Sequence, residues 1–208
     1  GISGLGNEAV TISDTELASS VLNTLDGNTS GAVNAATVTT LTGTAAAANT
    51  AYASSGITGL GNEAVTLSDT SLASTVLNTL DGNTSGTVNA ATITTLTGLA
   101  ADVNVAYVAN IAGTLTGLGD ESVTISDTTI GAHVLNTLNG YTSGVVNASS
   151  VLTLNGTYSD VNASYAGNNS STISGLGNEA VTLSDLSISA TNLSSIDALT
   201  SGTVTSSA

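Results

Sequence analysis

The sequence predicts an α/β repeat protein: a solenoid of stacked strand–helix coils that share a parallel β-sheet. Three observations carry this expectation. The string Gly4-Leu5-Gly6-Asn7-Glu8-Ala9-Val10-Thr11-Ile12-Ser13-Asp14 returns, nearly unchanged, over residues 59–69, 117–127 and 175–185, at steps of 55, 58 and 58 residues. Inside each period, short apolar–polar alternations lead into stretches whose apolar residues fall at helical spacing. A strand–helix unit of about 23–32 residues cannot bury its apolar face alone, so neighbours must stack to close a core. The chain therefore reads as one continuous solenoid over residues 1–208, with repeats 1–55, 56–113, 114–171 and a partial 172–208. An all-β parallel β-helix is the alternative, because Ser, Thr and Val are weak helix formers.

Each element follows from its residues. Val10-Thr11-Ile12 alternates as a half-buried strand does. Asp14 and Thr15 make a helix N-cap signal, and Glu16 suits the positive end of the dipole. Leu17, Val21, Leu22 and Leu25 then form a one-faced stripe, which Asp26-Gly27-Asn28 ends with turn chemistry. The second copy repeats this with Leu72, Val76, Leu77 and Leu80 before Asp81-Gly82-Asn83. A second strand is expected over 32–35, with counterparts over 87–90 and 145–148. A connecting stretch through Val38 and Leu41 reaches Gly43, and an alanine-rich helix follows over 44–53, matched by 99–108. The three residues by which the later periods are longer fall near 111–113 and 168–170, in sequence that reads as loop. Proline is absent, as a chain whose inner strands must all donate N–H groups requires.

Composition then limits the chemistry. The 208 residues include no Lys, Arg, Cys, Met, Trp, Phe or Pro; 15 acids and one histidine give a formal charge of -15. Nucleic-acid binding, Walker-type phosphate loops, Schiff-base lysines and polybasic membrane contacts all need basic residues. Disulfides, thiol nucleophiles and Cys-ligated zinc need cysteine. Hydrophobic residues are 40%, enough for a core, but aromatics are 2% and all tyrosine, so that core is aliphatic. No apolar run is long enough for a membrane-spanning helix, and no basic n-region of a signal peptide opens the chain. Gly4-Leu5-Gly6 lacks the basic partner of a phosphate loop. The chain opens inside a repeat and reads as a piece of something longer.

The acids recur with the repeat. Asp14, Asp69, Asp127 and Asp185 share one position; Glu8, Glu63, Glu121 and Glu179 another; Asp26, Asp81 and Asp197 a third, where Asn139 interrupts. Two readings stand side by side. In one, these are helix caps, dipole partners and turn formers. In the other, Asp14, Asp26, Asp69, Asp81, Asp127 and Asp185 are calcium ligands, because an oxygen-only chain suits a hard cation. His133 replaces Ser20 and Thr75 on a polar helix face and reads as an exposed substitution. Asn34, Asn89 and Asn147 share a strand position and suggest a stacked amide ladder. Thr37-Val38-Thr39 and Thr92-Ile93-Thr94 raise a hydroxyl array of the ice-binding kind, which Ser150-Val151-Leu152 breaks. Carboxylates repeated identically in each copy offer no singular acidic pair, so the expectation is no enzyme and no catalytic residue.

The strings Gly-Leu-Gly-Asn-Glu-Ala-Val-Thr-Leu-Ser-Asp, Val-Leu-Asn-Thr-Leu-Asp-Gly-Asn-Thr-Ser-Gly and Thr-Leu-Thr-Gly together resemble tandem repeats of giant secreted surface proteins of marine bacteria, notably picocyanobacteria. Such proteins are often described as adhesin-like or calcium-binding, although the calcium nonapeptide is absent here. The resemblance covers the whole chain and implies an extracellular or cell-surface location. The expected function is a non-enzymatic structural segment of a surface protein, fibre or coat, stacking head-to-tail on neighbouring repeats or on itself. The alternative is a calcium- or glycan-binding adhesin module.

Overall fold

The computed structural model describes residues 6–206. In chain order the elements are β1 (Val10–Thr11), β2 (Glu16–Ala18), α1 (Ser19–Gly27), β3 (Val33–Asn34), β4 (Thr40–Gly43), α2 (Ala45–Ala53), β5 (Ile57–Thr58), β6 (Ala64–Leu67), β7 (Ser71–Ala73), α3 (Ser74–Asn83) and β8 (Val88–Asn89). They continue with β9 (Thr95–Gly98), α4 (Ala100–Ala112), β10 (Leu115–Thr116), β11 (Ser122–Ile125), β12 (Thr129–Gly131), α5 (Ala132–Tyr141), β13 (Val146–Asn147), β14 (Thr153–Gly156), α6 (Tyr158–Asn169), β15 (Ile173–Ser174), β16 (Ala180–Leu183), α7 (Ala190–Asp197) and β17 (Val204–Ser206). Strands and helices alternate, the strands form four parallel sheets, and the fold is α/β. The all-β alternative does not hold.

The described residues fall into two compact units: those up to Ile93 together with 106–118, and 94–105 together with those from Gly119 onward. In the first unit, β1-β3-β5 form one sheet and β10-β8-β6-β4-β2 another. Parallel register lines up Leu17, Leu41, Val65, Val88 and Leu115 in one inward column. All but Leu17 are buried. Each fully buried aliphatic side chain of this kind contributes about 1.5–3 kcal/mol. The alternate column, Ala18, Thr42, Thr66, Asn89 and Thr116, faces outward, as the period of two demands. In the second unit, β12-β14-β16-β17 bring Ile130, Leu154, Val181 and Val204 into line, and β15-β13-β11-β9 do the same for Ile173, Val146, Val123 and Leu96.

Three local expectations are corrected. The helix expected to open at Asp14 opens at Ser19; Glu16–Ala18 is a strand instead, because it pairs with Thr40, Leu41 and Thr42. Ladder hydrogen bonds outweigh a local cap there, and Ala18 at the N-cap makes no side-chain capping bond. The connecting stretch contains the strand Thr40–Gly43, repeated as Thr95–Gly98 and Thr153–Gly156. The extra residues of the longer periods extend helices rather than loops: α2 has 9 residues, α4 has 13 and α6 has 12. The added turn of α4 ends where the Gly113 N–H reaches the Ala109 carbonyl, 2.9 Å away, with Gly113 at φ +87°.

Candidate functional site

The aspartates that recur after each Gly-Leu-Gly string cap helices, but never their own. Asp69 Oδ2 accepts from the Ala45 N–H at 2.8 Å, 24 residues earlier, at the first turn of α2. Asp127 does the same for the Ala100 N–H of α4 at 2.8 Å, and Asp185 for the Tyr158 N–H of α6 at 2.6 Å. The first N–H groups of a helix lack internal partners, and the positive dipole end favours the carboxylate. Each of these aspartates therefore ties the strand it follows to the helix of the preceding coil. Asp14 shares the position but is exposed, and its carboxylate accepts no hydrogen bond among the described residues.

The glutamates are the buried polar centre of each repeat. Glu63, Glu121 and Glu179 are at most 1% exposed. Each folds back onto its own loop: Glu63 accepts from the Gly61 N–H at 2.9 Å, Glu121 from Gly119 and Asp120, and Glu179 from Gly177 at 2.8 Å and Asn178 at 3.0 Å. Gly61 sits at φ +134°, a conformation open to glycine at no steric cost, and this aims its N–H at the carboxylate. A tyrosine from the preceding helix completes the pair. Tyr52 Oη donates to Glu63 Oε2 at 2.9 Å, and Tyr165 Oη donates to Glu179 Oε1. Burial pushes both phenols above their usual range, with the adjacent carboxylate adding to the rise. Glu8 makes the same loop contacts but is only half-buried, and the Gly6 N–H above all holds its carboxyl below its ordinary value.

The backbone carbonyl of the same glutamate is held as well. Thr29, Thr84, Thr142 and Thr200 donate Oγ1 to the carbonyls of Glu8, Glu63, Glu121 and Glu179 at 2.6–2.7 Å. The chain then crosses that carbonyl so closely that a Cβ at Gly31, Gly86, Gly144 or Gly202 would collide with it. A glycine is required at this crossing by contact rather than by dihedral angle.

The third acidic set bridges more loosely. Ser54 Oγ donates to Asp26 Oδ2 at 2.7 Å, and Thr114 Oγ1 to Asp81 Oδ2 at 3.2 Å. The six calcium candidates, Asp14, Asp26, Asp69, Asp81, Asp127 and Asp185, are thus not brought together. Among the described residues no three His, Cys, Asp or Glu side chains form a group able to hold a metal ion. Where these carboxylates bond, they act as acceptors for N–H and hydroxyl groups.

Other sequence expectations resolve in the same way. Asn34, Asn89 and Asn147 make no amide ladder: their sheet neighbours are Thr11 and Thr58, Thr66 and Thr116, Thr124 and Ser174. Each amide instead accepts from the N–H two residues on, at 3.0 Å, closing a local turn. Amides do bridge layers, but from helices: Asn23 Nδ2 reaches the Ala47 carbonyl at 2.8 Å, Asn49 the Val76 carbonyl at 3.1 Å, and Asn136 the Asp160 carbonyl at 2.9 Å. The recurrence of Asn in stretches otherwise suited to helix was the signal for this role. Thr37 and Thr39 turn their hydroxyls onto the Ile12 and Thr15 carbonyls at 2.6 and 3.0 Å, so they form no outward array. His133 is exposed on α5. An open groove of about 340 Å³ runs beside α1, lined by Ser20, Val21, Thr24, Leu25 and Asn28. Among the described residues, no helix is long and apolar enough to cross a membrane. Comparison with protein-family models, with curated proteins and with solved structures finds no match to this chain.

Proposed function

We propose that the chain is a non-enzymatic structural segment: one continuous solenoid of stacked strand–helix coils in an extracellular or cell-surface protein, fibre or coat. The carrying observation is how the recurrent acids are used. Asp69, Asp127 and Asp185 each bind a helix of the coil before them, and Glu63 and Glu179 each bind a tyrosine from the preceding helix. A carboxylate that accepts two or three hydrogen bonds inside the protein is a fastening, not a free general base. With no lysine or arginine in the sequence, cohesion rests on aliphatic columns, ladders and these acceptor sites, and salt screens the net charge of -15.

Solenoids built in this way end on edge strands, which are templates for further pairing. The working assembly is therefore head-to-tail stacking, on neighbouring repeats or on a second molecule. Electron microscopy of the native material, with a concentration series in sedimentation, tests the reading. Rods whose length grows with repeat number or concentration are expected; compact, monodisperse particles at every concentration would refute it.

A second reading, glycan binding, is favoured by the exposed rows Thr11–Asn34–Thr58 and Thr66–Asn89–Thr116, which present hydroxyls and amides side by side. Immobilised neutral and acidic polysaccharides would retain the chain if this reading is correct.

A further inference from the structure

We propose that Asn169, at the end of α6, is an attachment site for an N-linked sugar delivered from a glycosyl diphosphate donor. The site lies apart from the acid contacts that fasten the coils, and it stands whether or not the chain stacks. What singles it out is that the fold closes the other acceptor patterns in the sequence.

Asn-x-Ser/Thr, the acceptor pattern for asparagine glycosylation, occurs eight times. A transferring enzyme has to reach the amide nitrogen of its first residue and the hydroxyl of its third. Seven of the eight are closed at one end or both. Ser30, the third residue of the pattern at Asn28, gives its hydroxyl to the Gly6 carbonyl at 3.1 Å. Asn83 is half-buried, with Nδ2 on Asn49 Oδ1 at 3.0 Å. Asn147 is half-buried in β13, where the Ser149 N–H holds its amide oxygen at 3.0 Å. Asn155 is half-buried in β14, and Thr157 Oγ1 donates to Asp160 Oδ2 at 2.8 Å. Asn162 is exposed, but its Ser164 is 0% exposed and donates to Asn136 Oδ1 at 2.8 Å. Asn168 accepts from the Leu176 N–H at 3.2 Å, and its Ser170 hydroxyl lies on the Gly167 carbonyl at 3.1 Å. Asn192 is half-buried within α7, whose helical backbone also holds the rest of its pattern.

The pattern at Asn169 is open at both ends. Asn169 is the last residue of α6 and exposed, and its amide makes no hydrogen bond among the described residues. Ser171 is exposed in the turn that follows, its hydroxyl likewise unbonded among the described residues. It is also the one non-glycine residue among them with a positive φ, +64°. One repeat earlier, 58 residues back, Gly113 takes that place at φ +87°. A side chain is strained there and glycine is not, so the turn itself gains nothing from serine. The hydroxyl thus stands on a backbone that resists it, at the third place of the open acceptor pattern; strain held at such a point marks a functional position. Ile111 occupies the place of Asn169 one repeat earlier and is 70% exposed, although a whole repeat follows it. The openness therefore belongs to this helix end and not to where the sequence stops.

In the transfer, Asn169 Nδ2 bonds to the anomeric carbon of the donor sugar while the carbon–oxygen bond to the diphosphate breaks. The diphosphate leaves with the electron pair, and a base of the enzyme takes one amide proton. A nucleotide-linked sugar and a polyprenyl-linked oligosaccharide share this leaving group. The chain has to supply only an accessible amide and an accessible hydroxyl.

Two measurements test the site. In the first, the folded chain is treated with a soluble asparagine glycosyltransferase and UDP-glucose, then cleaved before aspartate. The fragment 160–184 carries Asn162, Asn168 and Asn169, and mass spectrometry that preserves the glycosidic bond locates the sugar. Asn169 should be modified at least about tenfold faster than any other acceptor, since the rest must first break a hydrogen bond or leave a buried site. Short peptides spanning the same patterns should lose that preference. Asn169→Gln and Ser171→Gly should each abolish transfer at residue 169, and Asn162→Gln should leave it unchanged. Ser171→Gly relaxes the backbone as it removes the hydroxyl, so its melting temperature should hold or rise, which separates lost recognition from lost folding. In the second measurement the same fragment is released from native material. Single-sugar additions identify a nucleotide-linked donor and one preassembled oligosaccharide a polyprenyl-linked donor; either supports the site. Transfer spread evenly over the acceptors of the folded chain, undiminished transfer to Ser171→Gly, or a native fragment bearing no sugar overturns it.

Discussion

Replacing Glu63 with alanine tests the claim that buried glutamates fasten the repeats. The side chain is 0% exposed and accepts from the Gly61 N–H and the Tyr52 hydroxyl, both at 2.9 Å. Hydrogen bonds to a charged group contribute about 1.5–3 kcal/mol each, and an orphaned buried partner costs about 1–3 kcal/mol. The gain from no longer burying a carboxylate offsets part of this, so the expected net loss is about 3–4 kcal/mol, in the range for breaking a buried charged contact. Glu63→Gln keeps an acceptor for Tyr52 but turns an amide donor or a weaker acceptor toward Gly61, and should lose about half as much. Glu8 provides the control: the same residue in the same loop, bonded to Gly6 and Asn7 but only half-buried, whose loss should be smaller. Urea unfolding followed by far-ultraviolet circular dichroism measures all three. Equal, small losses for Glu63→Ala and Glu8→Ala would refute the reasoning, because burial would then add nothing to the contact.

Gly86→Ala should destabilise by about 2–3 kcal/mol in the same assay, since its Cβ would strike the Glu63 carbonyl and only backbone movement could relieve it. Ser74→Ala should stabilise by about 1 kcal/mol: its hydroxyl is fully buried with no hydrogen-bond partner among the described residues, and the third repeat already has Ala132 there. Tyr52 and Tyr165 ionise above their ordinary value of 10.0 when folded, so the unfolded chain loses protons first as pH rises. Their contribution is complete below pH 10.0 and declines above it, and Tyr165→Phe should flatten that alkaline fall in thermal melts. EDTA should leave the melting temperature unchanged, as aspartates committed to helix N–H groups have no need of calcium; a fall would restore the metal reading.

The repeat made much of the fold legible. Its step and the alternation at Val10-Thr11-Ile12 reappear as structure, because each depends on side-chain periodicity within one short segment; of the expected stripe, Leu22 and Leu25 turn inward on α1, whereas Leu17 falls in strand β2 and Val21 is 53% exposed. Short, mixed segments were less legible. Thr40–Gly43 carries only one buried side chain, Leu41, so its strand character comes from β2 and β6 on either side. The added turn in α4 and α6 read as loop because Asn and Ser are weak helix formers.

The amino-acid order alone was enough for the alternation of strand and helix, the aliphatic core and the equivalence of the acids from copy to copy. It could not say what each acid holds. Asp14 and Asp69 occupy the same place in the same motif, yet one is exposed and the other caps a helix that begins 24 residues before it. Glu8 and Glu63 differ likewise, one half-buried and one enclosed with a tyrosine. A capping or buried hydrogen bond depends on which N–H or hydroxyl another coil brings within about 3 Å. Identical residues thus acquire different roles from what is packed against them, and that is decided only when the layers come together.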